Sequence, residues 1–192
     1  MTRGTGILEN LLAKLRARKA NQLIPDALRN GRILDIGCGS YPYFLSQTYF
    51  REKFALDQIH LADIPPDITA IQVDLKKIRS LEFHDGYFDV VTLLAVIEHL
   101  DPEGLVQLFK EIHRILVPGG MLILTTPNAW TDPLLRFMAR INLVSKEEID
   151  EHNFAYTLPL LGWYFGRSGF QKQGVEFGTF EAGMNLWVRA ER

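Results

Sequence analysis

The sequence predicts a mostly parallel α/β sheet wrapped by helices on both faces and completed by a hairpin. Three observations carry that expectation. Short apolar runs of strand length recur five times, with helical or loop segments between them. A glycine pair, Gly37 and Gly39, directly follows the first run, in RILDIGCGSYPYF. Two more strand-like runs near the end are separated only by the turn-like EAGMN.

Taken in order, residues 7–23 have helical spacing, with Ile7, Leu11, Leu12, Leu15 and Ala20 on one face and Pro25 closing the segment. The run 32–36 is a short strand, then comes the glycine loop, then a helical stretch over 43–50. KFALD (53–57) and TAIQVDL (69–75) are the second and third strands. FDVVTLL (88–94), nearly all apolar, is a fourth strand covered on both faces. Asp101 then caps a helix with Pro102 in its first turn. Leu105, Leu108, Phe109, Ile112, Ile115 and Leu116 fall on its apolar stripe, and Pro118-Gly119-Gly120 stops it. MLILT (121–125) is the fifth strand. Residues 133–144 give a further helical pattern whose spacing predicts core packing for Trp130, Leu134, Leu135, Phe137, Met138 and Ile141. Another helix runs from about 157 to Gly169, and 171–180 with 185–190 form the closing antiparallel pair.

Composition restricts the function classes. The 192 residues suffice for one full core, and 47% hydrophobic with 23% charged residues is ordinary for a globular chain. A formal charge of −2 gives no general attraction to nucleic acid. The basic cluster Lys14-Leu-Arg16-Ala-Arg18-Lys19 is a local exception, read first as a solvated helix face. The single cysteine excludes an internal disulfide and a cysteine-only zinc site. No apolar run approaches a membrane span and no signal-peptide order opens the chain, so a cytoplasmic protein is expected. The expected organisation is an N-terminal helical segment over 1–30 and one domain over 31–192.

The glycine loop does not suit a pyrophosphate. The dinucleotide fingerprint needs a third glycine where this chain has Pro42, and no Gly-Lys-Ser/Thr follows for a phosphate loop. S-adenosylmethionine, which carries an amino-acid end, a ribose and an adenine, fits better. Loop N–H groups leading into a helix receive its carboxylate, and Asp35 attracts its ammonium. Asp57, 22 residues after Asp35, matches the spacing of a ribose-binding acid. Asp74 accepts from the adenine amino group, with the Leu75 N–H serving a ring nitrogen. Asp63 is the alternative to Asp57, because IHLAD also reads as a strand. It would leave only Pro65, Pro66 and Asp67 before the next strand, too few for a crossover.

ILDIGCGS, FALD, VDL, FDVVTLLAVIEHLDP and LFKEIHRILVPGGMLILTTPN, in that order, resemble the class I S-adenosylmethionine-dependent methyltransferase family. The resemblance is to its small-molecule and quinone-type branch. It covers about residues 31–128 closely, and the GF at 169–170 and the closing hairpin more loosely. It implies a single-domain, Rossmann-like, doubly wound sheet of seven strands, mostly parallel, the last strand running antiparallel between two others. It implies S-adenosylmethionine as cofactor, with contacts from Asp35, Gly37, Cys38, Gly39, Asp57, Asp74, Leu75, Leu94 and Ala95. It also implies transfer of a methyl group to a small-molecule acceptor, apolar or aromatic; the alternative is a module that binds the cofactor without catalysis. The family's frequent third glycine is Tyr41 in this chain.

His152 and His99 are the candidate catalytic residues. His152 lies in a segment that closes over the acceptor pocket in the resembled family, and an unperturbed imidazole suits a general base; a lone loop histidine is more often structural. His99 follows Glu98 just after strand four, where local bonding at a helix start is the plainer reading. Some quinone O-methyltransferases carry another acid three positions before the Glu-His pair, as a metal ligand. Ala95 stands there, so no metal is expected. Cys38 is read as a small loop residue and not as a nucleophile. Nucleic-acid methylation is disfavoured because neither an Asn-Pro-Pro-aromatic motif nor an extended basic stripe is present.

Overall fold

The computed structural model describes residues 8–61, 64–74, 80–146, 149 and 154–192. A seven-stranded sheet runs through it in the order β3-β2-β1-β4-β5-β7-β6. The strands are β1 (Arg32–Ile36), β2 (Glu52–Asp57), β3 (Ile68–Gln72), β4 (Phe88–Leu94), β5 (Leu116–Pro127), β6 (Val175–Phe180) and β7 (Asn185–Glu191). The first five pair in parallel, and β7 lies antiparallel to both β5 and β6. The chain order reverses between β1 and β4, so the carboxyl ends of those two strands flank the switch point where α/β sheets bind ligands.

Period-two alternation sorts the sheet's residues into two layers. Leu34, Val91, Leu93, Leu122 and Leu124 point into one core, shared with helix α3 (Pro102–Ile115) and helix α5 (Leu158–Gly166). Their neighbours Ile33, Val90, Met121 and Ile123 point into the other, covered by α1 (Glu9–Leu23) and α2 (Tyr43–Ser46). Ala139 of α4 (Asp132–Arg140) forms a small separate cluster with Val144 and Ile149, against which partly buried Leu12 of α1 packs.

Helix α3 follows its sequence signals closely. Asp101 Oδ1 accepts the Glu103 N–H at 3.0 Å, Pro102 opens the helix, and Leu105, Phe109, Ile112 and Ile115 are wholly buried. Its end differs from expectation. The helix stops at Ile115, and Leu116 already pairs with Phe88 as the start of β5. The Val90↔Met121 pair comes next, so Pro118-Gly119-Gly120 is a bulge inside the ladder and not a helix stop.

Other boundaries shift for similar local reasons. The helix after the glycine loop is one turn, Tyr43–Ser46, with Gln47 N–H closing on Phe44 O. Helix α5 ends at Gly166, three residues before Gly169, which takes φ +97°. Helix α1 buries Ala17, Ala20 and Leu23 against the sheet and leaves Leu11 half exposed. Of the predicted face, Ala20 is buried and Leu12 partly so, Ile7 lies outside the described residues, and the contact extends to Ala17 and Leu23 in place of Leu11, because small alanines permit closer approach to a sheet than leucines do. Trp130, Leu134, Phe137 and Ile141, expected in the core, are exposed. Among the described residues, no helix is long and apolar enough to cross a membrane.

Candidate active site

At the end of β1 the chain needs an abrupt turn, and it obtains one from two left-handed glycines. Gly37 and Gly39 both have φ +76°. A Cβ on Gly37 would lie 2.5 Å from Val96 Cγ2, so the loop there also packs against the turn after β4. The Gly37 and Cys38 N–H groups both donate to Leu56 O, at 2.7 and 3.4 Å. Gly39 N–H donates to Asp57 Oδ2 at 2.8 Å, and Ile59 N–H donates to Asp57 Oδ1 at 3.1 Å. The acid ending β2 therefore fixes the shape of the loop ending β1.

Asp35 is 3% exposed and faces Thr92, its cross-strand partner on β4. The Thr92 hydroxyl donates to Asp35 Oδ1 at 2.5 Å. Burial pushes the Asp35 carboxyl up to about 7; the Thr92 bond opposes that rise, and nearby Asp57 adds to it. A buried carboxylate beside a second carboxylate creates a demand for a cation. On the same sheet face, Thr125 Oγ1 is buried with no hydrogen-bond partner among the described residues.

Strand β4 ends in a strained residue. Ala95 has φ +58°, unusual for a side chain with a Cβ, and its N–H donates to Thr125 O at 2.9 Å. The turn Ile97–His99 follows. Glu98 is 2% exposed; its Oε2 accepts from Thr126 Oγ1 at 3.0 Å, while Oε1 has no hydrogen-bond partner among the described residues. Burial raises this carboxyl above its ordinary range. His99 is half buried in the same turn, with its N–H on Val96 O at 3.1 Å.

The structure thus brings Asp35, Gly37, Cys38, Gly39 and Asp57 together at the ends of β1 and β2, with Leu94 and Ala95 one strand away. Asp74 lies two residues beyond β3 on that same edge. Leu75 and His152, and the alternative acid Asp63, lie outside the described residues. The Cys38 thiol is pushed well up, first by burial and then by Asp35 and Asp57, which makes it a poor nucleophile at neutral pH. Among the described residues, no three His, Cys, Asp or Glu side chains cluster as a metal site. Thr92 and the unpartnered oxygens of Glu98 and Thr125 are additions to the expected set. A threonine within the otherwise apolar FDVVTLL was the available signal for the first, since a wholly buried hydroxyl requires a partner.

A doubly wound sheet of this order, with a left-handed glycine loop and acids at successive strand tips, defines the Rossmann-like methyltransferase class. The chain belongs to the methyltransferase domain family, whose model matches residues 7–174. Its fold is shared with an S-adenosylmethionine-dependent methyltransferase from Mesorhizobium loti, at a TM-score of 0.66 and 18% identity, covering 94% of this chain and 100% of that one. An S-adenosylmethionine-dependent methyltransferase from Archaeoglobus fulgidus gives 0.70 and 16%, covering 94% of each. In sequence, a ubiquinone biosynthesis O-methyltransferase of Pseudomonas aeruginosa is 30% identical over 112 residues, 53% of this chain and 46% of that protein. One from Escherichia coli is 26% identical over 147 residues, covering 69% and 59%. The chain spans about half the length of the curated relatives it matches.

Proposed function

We propose that this domain holds S-adenosylmethionine along the carboxyl ends of β1, β2 and β3 and transfers its methyl group to a small apolar acceptor. The observation that carries the reading is Asp35. A carboxyl buried on the sheet edge, tied to Thr92 on one oxygen and raised to about 7, suits an ammonium at that point. Gly37, Cys38 and Gly39 would present backbone to the amino-acid end. Asp57, whose carboxylate also holds the Gly39 and Ile59 N–H groups, would take the ribose hydroxyls. Asp74 with Leu75 would serve the adenine, and Leu94 with Ala95 would border the reacting end.

The cofactor supplies a methyl group already activated by a sulfonium. The protein's task is then alignment: holding an acceptor in an attack geometry is worth roughly 7–11 kcal/mol. A proton-accepting side chain adds about 10²–10⁴-fold, and His99 and His152 are proposed for it. The names of the quinone-pathway relatives support an apolar ring as acceptor.

The test is calorimetry with S-adenosylmethionine and S-adenosylhomocysteine, followed by incubation with methyl-labelled cofactor and a lipid-containing cell extract. Binding plus a labelled small product is expected. Absence of heat with either compound overturns the cofactor assignment; binding without transfer to any component leaves a cofactor-binding module.

A further inference from the structure

Thr92 lies within the apolar run of β4 and is wholly buried, yet it is the side chain through which Asp35 is fastened. The β1–β4 register sets the two residues opposite each other, and the Thr92 hydroxyl donates to Asp35 Oδ1 at 2.5 Å. Leu34 O stands 3.5 Å from the same hydroxyl as a second acceptor. On its other side Asp35 pairs with Ala55 of β2, whose side chain has no donor to offer. Among the described residues, Thr92 is the one side chain bonded to this carboxyl, and Oδ2 takes no hydrogen bond.

A carboxylate bonded through one oxygen has its plane fixed and its other oxygen left over for a further donor. The hydroxyl suits both protonation states of the acid. It donates to the ionised carboxylate; when Asp35 is protonated it can accept the carboxyl proton and turn its own hydrogen to Leu34 O. The titratable groups beside Asp35 are Asp57 at the tip of β2, which opposes its ionisation, and Cys38 in the glycine loop, itself raised by both acids. Among the described residues no cation acts on Asp35, so the Thr92 bond is what favours the charged form before a ligand arrives. A residue needed there only for packing could be valine, which shares the β-branched shape of threonine.

We propose that Thr92 is a positioning residue for ligand binding: by holding Asp35 Oδ1 it leaves Oδ2 to receive the ammonium of the ligand's amino-acid end. This deepens the reading of Asp35 as the contact for that ammonium, and rests on it. Thr92 itself touches no ligand; it acts through the carboxyl it orients.

The test is titration calorimetry of the whole chain with S-adenosylhomocysteine from about pH 5.5 to about pH 8.5, for wild type, Thr92→Val and Thr92→Ser. Wild-type affinity should fall on the acid side of about pH 7, where Asp35 takes its proton. Valine keeps the shape and loses the donor, so the midpoint should move up by about one pH unit. That shift weakens binding about tenfold at about pH 6 and much less at about pH 8.5. Serine keeps the donor and loses the methyl group, so it should melt lower yet hold the wild-type midpoint. Carboxyl-carbon NMR of the ligand-free chains assigns the midpoint to Asp35. The proposal is overturned if the valine variant keeps the wild-type profile. It is also overturned if the serine variant shifts as far as the valine one, which would make Thr92 a packing residue only. If wild type binds at no pH, the cofactor reading fails and takes this proposal with it; binding with unshifted profiles removes this proposal alone.

Discussion

Gly39 and Asp57 are joined by a 2.8 Å hydrogen bond from the loop N–H to a carboxylate oxygen, and the other oxygen accepts from Ile59. One side chain therefore holds two backbone segments at the tips of adjacent parallel strands. Asp57→Ala leaves two N–H groups without partners, at about 1–3 kcal/mol each where they stay dry. The expected outcome is a melting temperature lower by several degrees and affinity for S-adenosylhomocysteine reduced more than about tenfold. Asp57→Asn, which keeps one acceptor oxygen, should fall between. Differential scanning calorimetry and titration calorimetry check both.

The Asp35 carboxyl makes stability depend on pH with a defined sign. Its folded value is about 7, while an unfolded aspartate titrates near 3.9, so the folded state binds the proton more tightly. Stability contributed by the neutral form is present below about pH 4 and is lost as pH rises to about 7. Asp35→Asn should therefore stabilise the free protein by on the order of 2 kcal/mol at pH 8 and leave it little changed at pH 4. The same substitution should weaken cofactor binding. Thermal melts across that window decide the matter.

Ligand binding should also move a proton. An ammonium placed beside Asp35 favours the ionised carboxylate, so S-adenosylhomocysteine binding at pH 6 should release close to one proton. At pH 8.5 release from this group should vanish. Calorimetry in buffers of different ionisation enthalpy measures the difference; equal proton counts at the two pH values would remove Asp35 from the ammonium role.

Gly37→Ala meets two penalties, the left-handed φ of +76° and a Cβ only 2.5 Å from Val96 Cγ2. The backbone penalty alone is roughly 1–2 kcal/mol. Adding Val96→Ala should relieve the clash but not the backbone strain. A double-mutant cycle is thus expected to show coupling of more than about 1 kcal/mol. Additive effects would place the two residues out of contact.

Cys38 should resist thiol chemistry. With its thiolate disfavoured by burial and two nearby acids, alkylation by iodoacetamide at pH 8 should run at least about tenfold slower than that of free cysteine. Mass spectrometry over time reads this directly.

Where burial is long and continuous, local sequence was enough. FDVVTLL became β4 with its predicted bounds, and Asp101 with Pro102 opened α3 as their chemistry requires. Asp35 and Asp57 were legible as strand-end acids because the apolar runs before them end abruptly. The exposed side of α4 was not legible, since helical spacing defines a stripe without saying whether anything covers it. On α1 Ala20 was legible on the buried face, but Ala17 was not, because alanine's hydropathy is weak even where the side chain is buried. Thr92 and Asp35 stand 57 residues apart, and only the β1–β4 register brings their oxygens together. The early start of β5 depends on a bulge that no periodicity encodes.

The order β5-β7-β6 sets a timetable for assembly. Strand β6 precedes β7 along the chain, yet its ladder hydrogen bonds are with β7. As β6 emerges during synthesis its ladder partner does not yet exist, and the apolar rim of β5 stays unsealed. The left-handed corner at Glu181, Ala182 and Gly183 turns the chain back, so that β7 seals β5 on one side and β6 on the other only once both strands have been made.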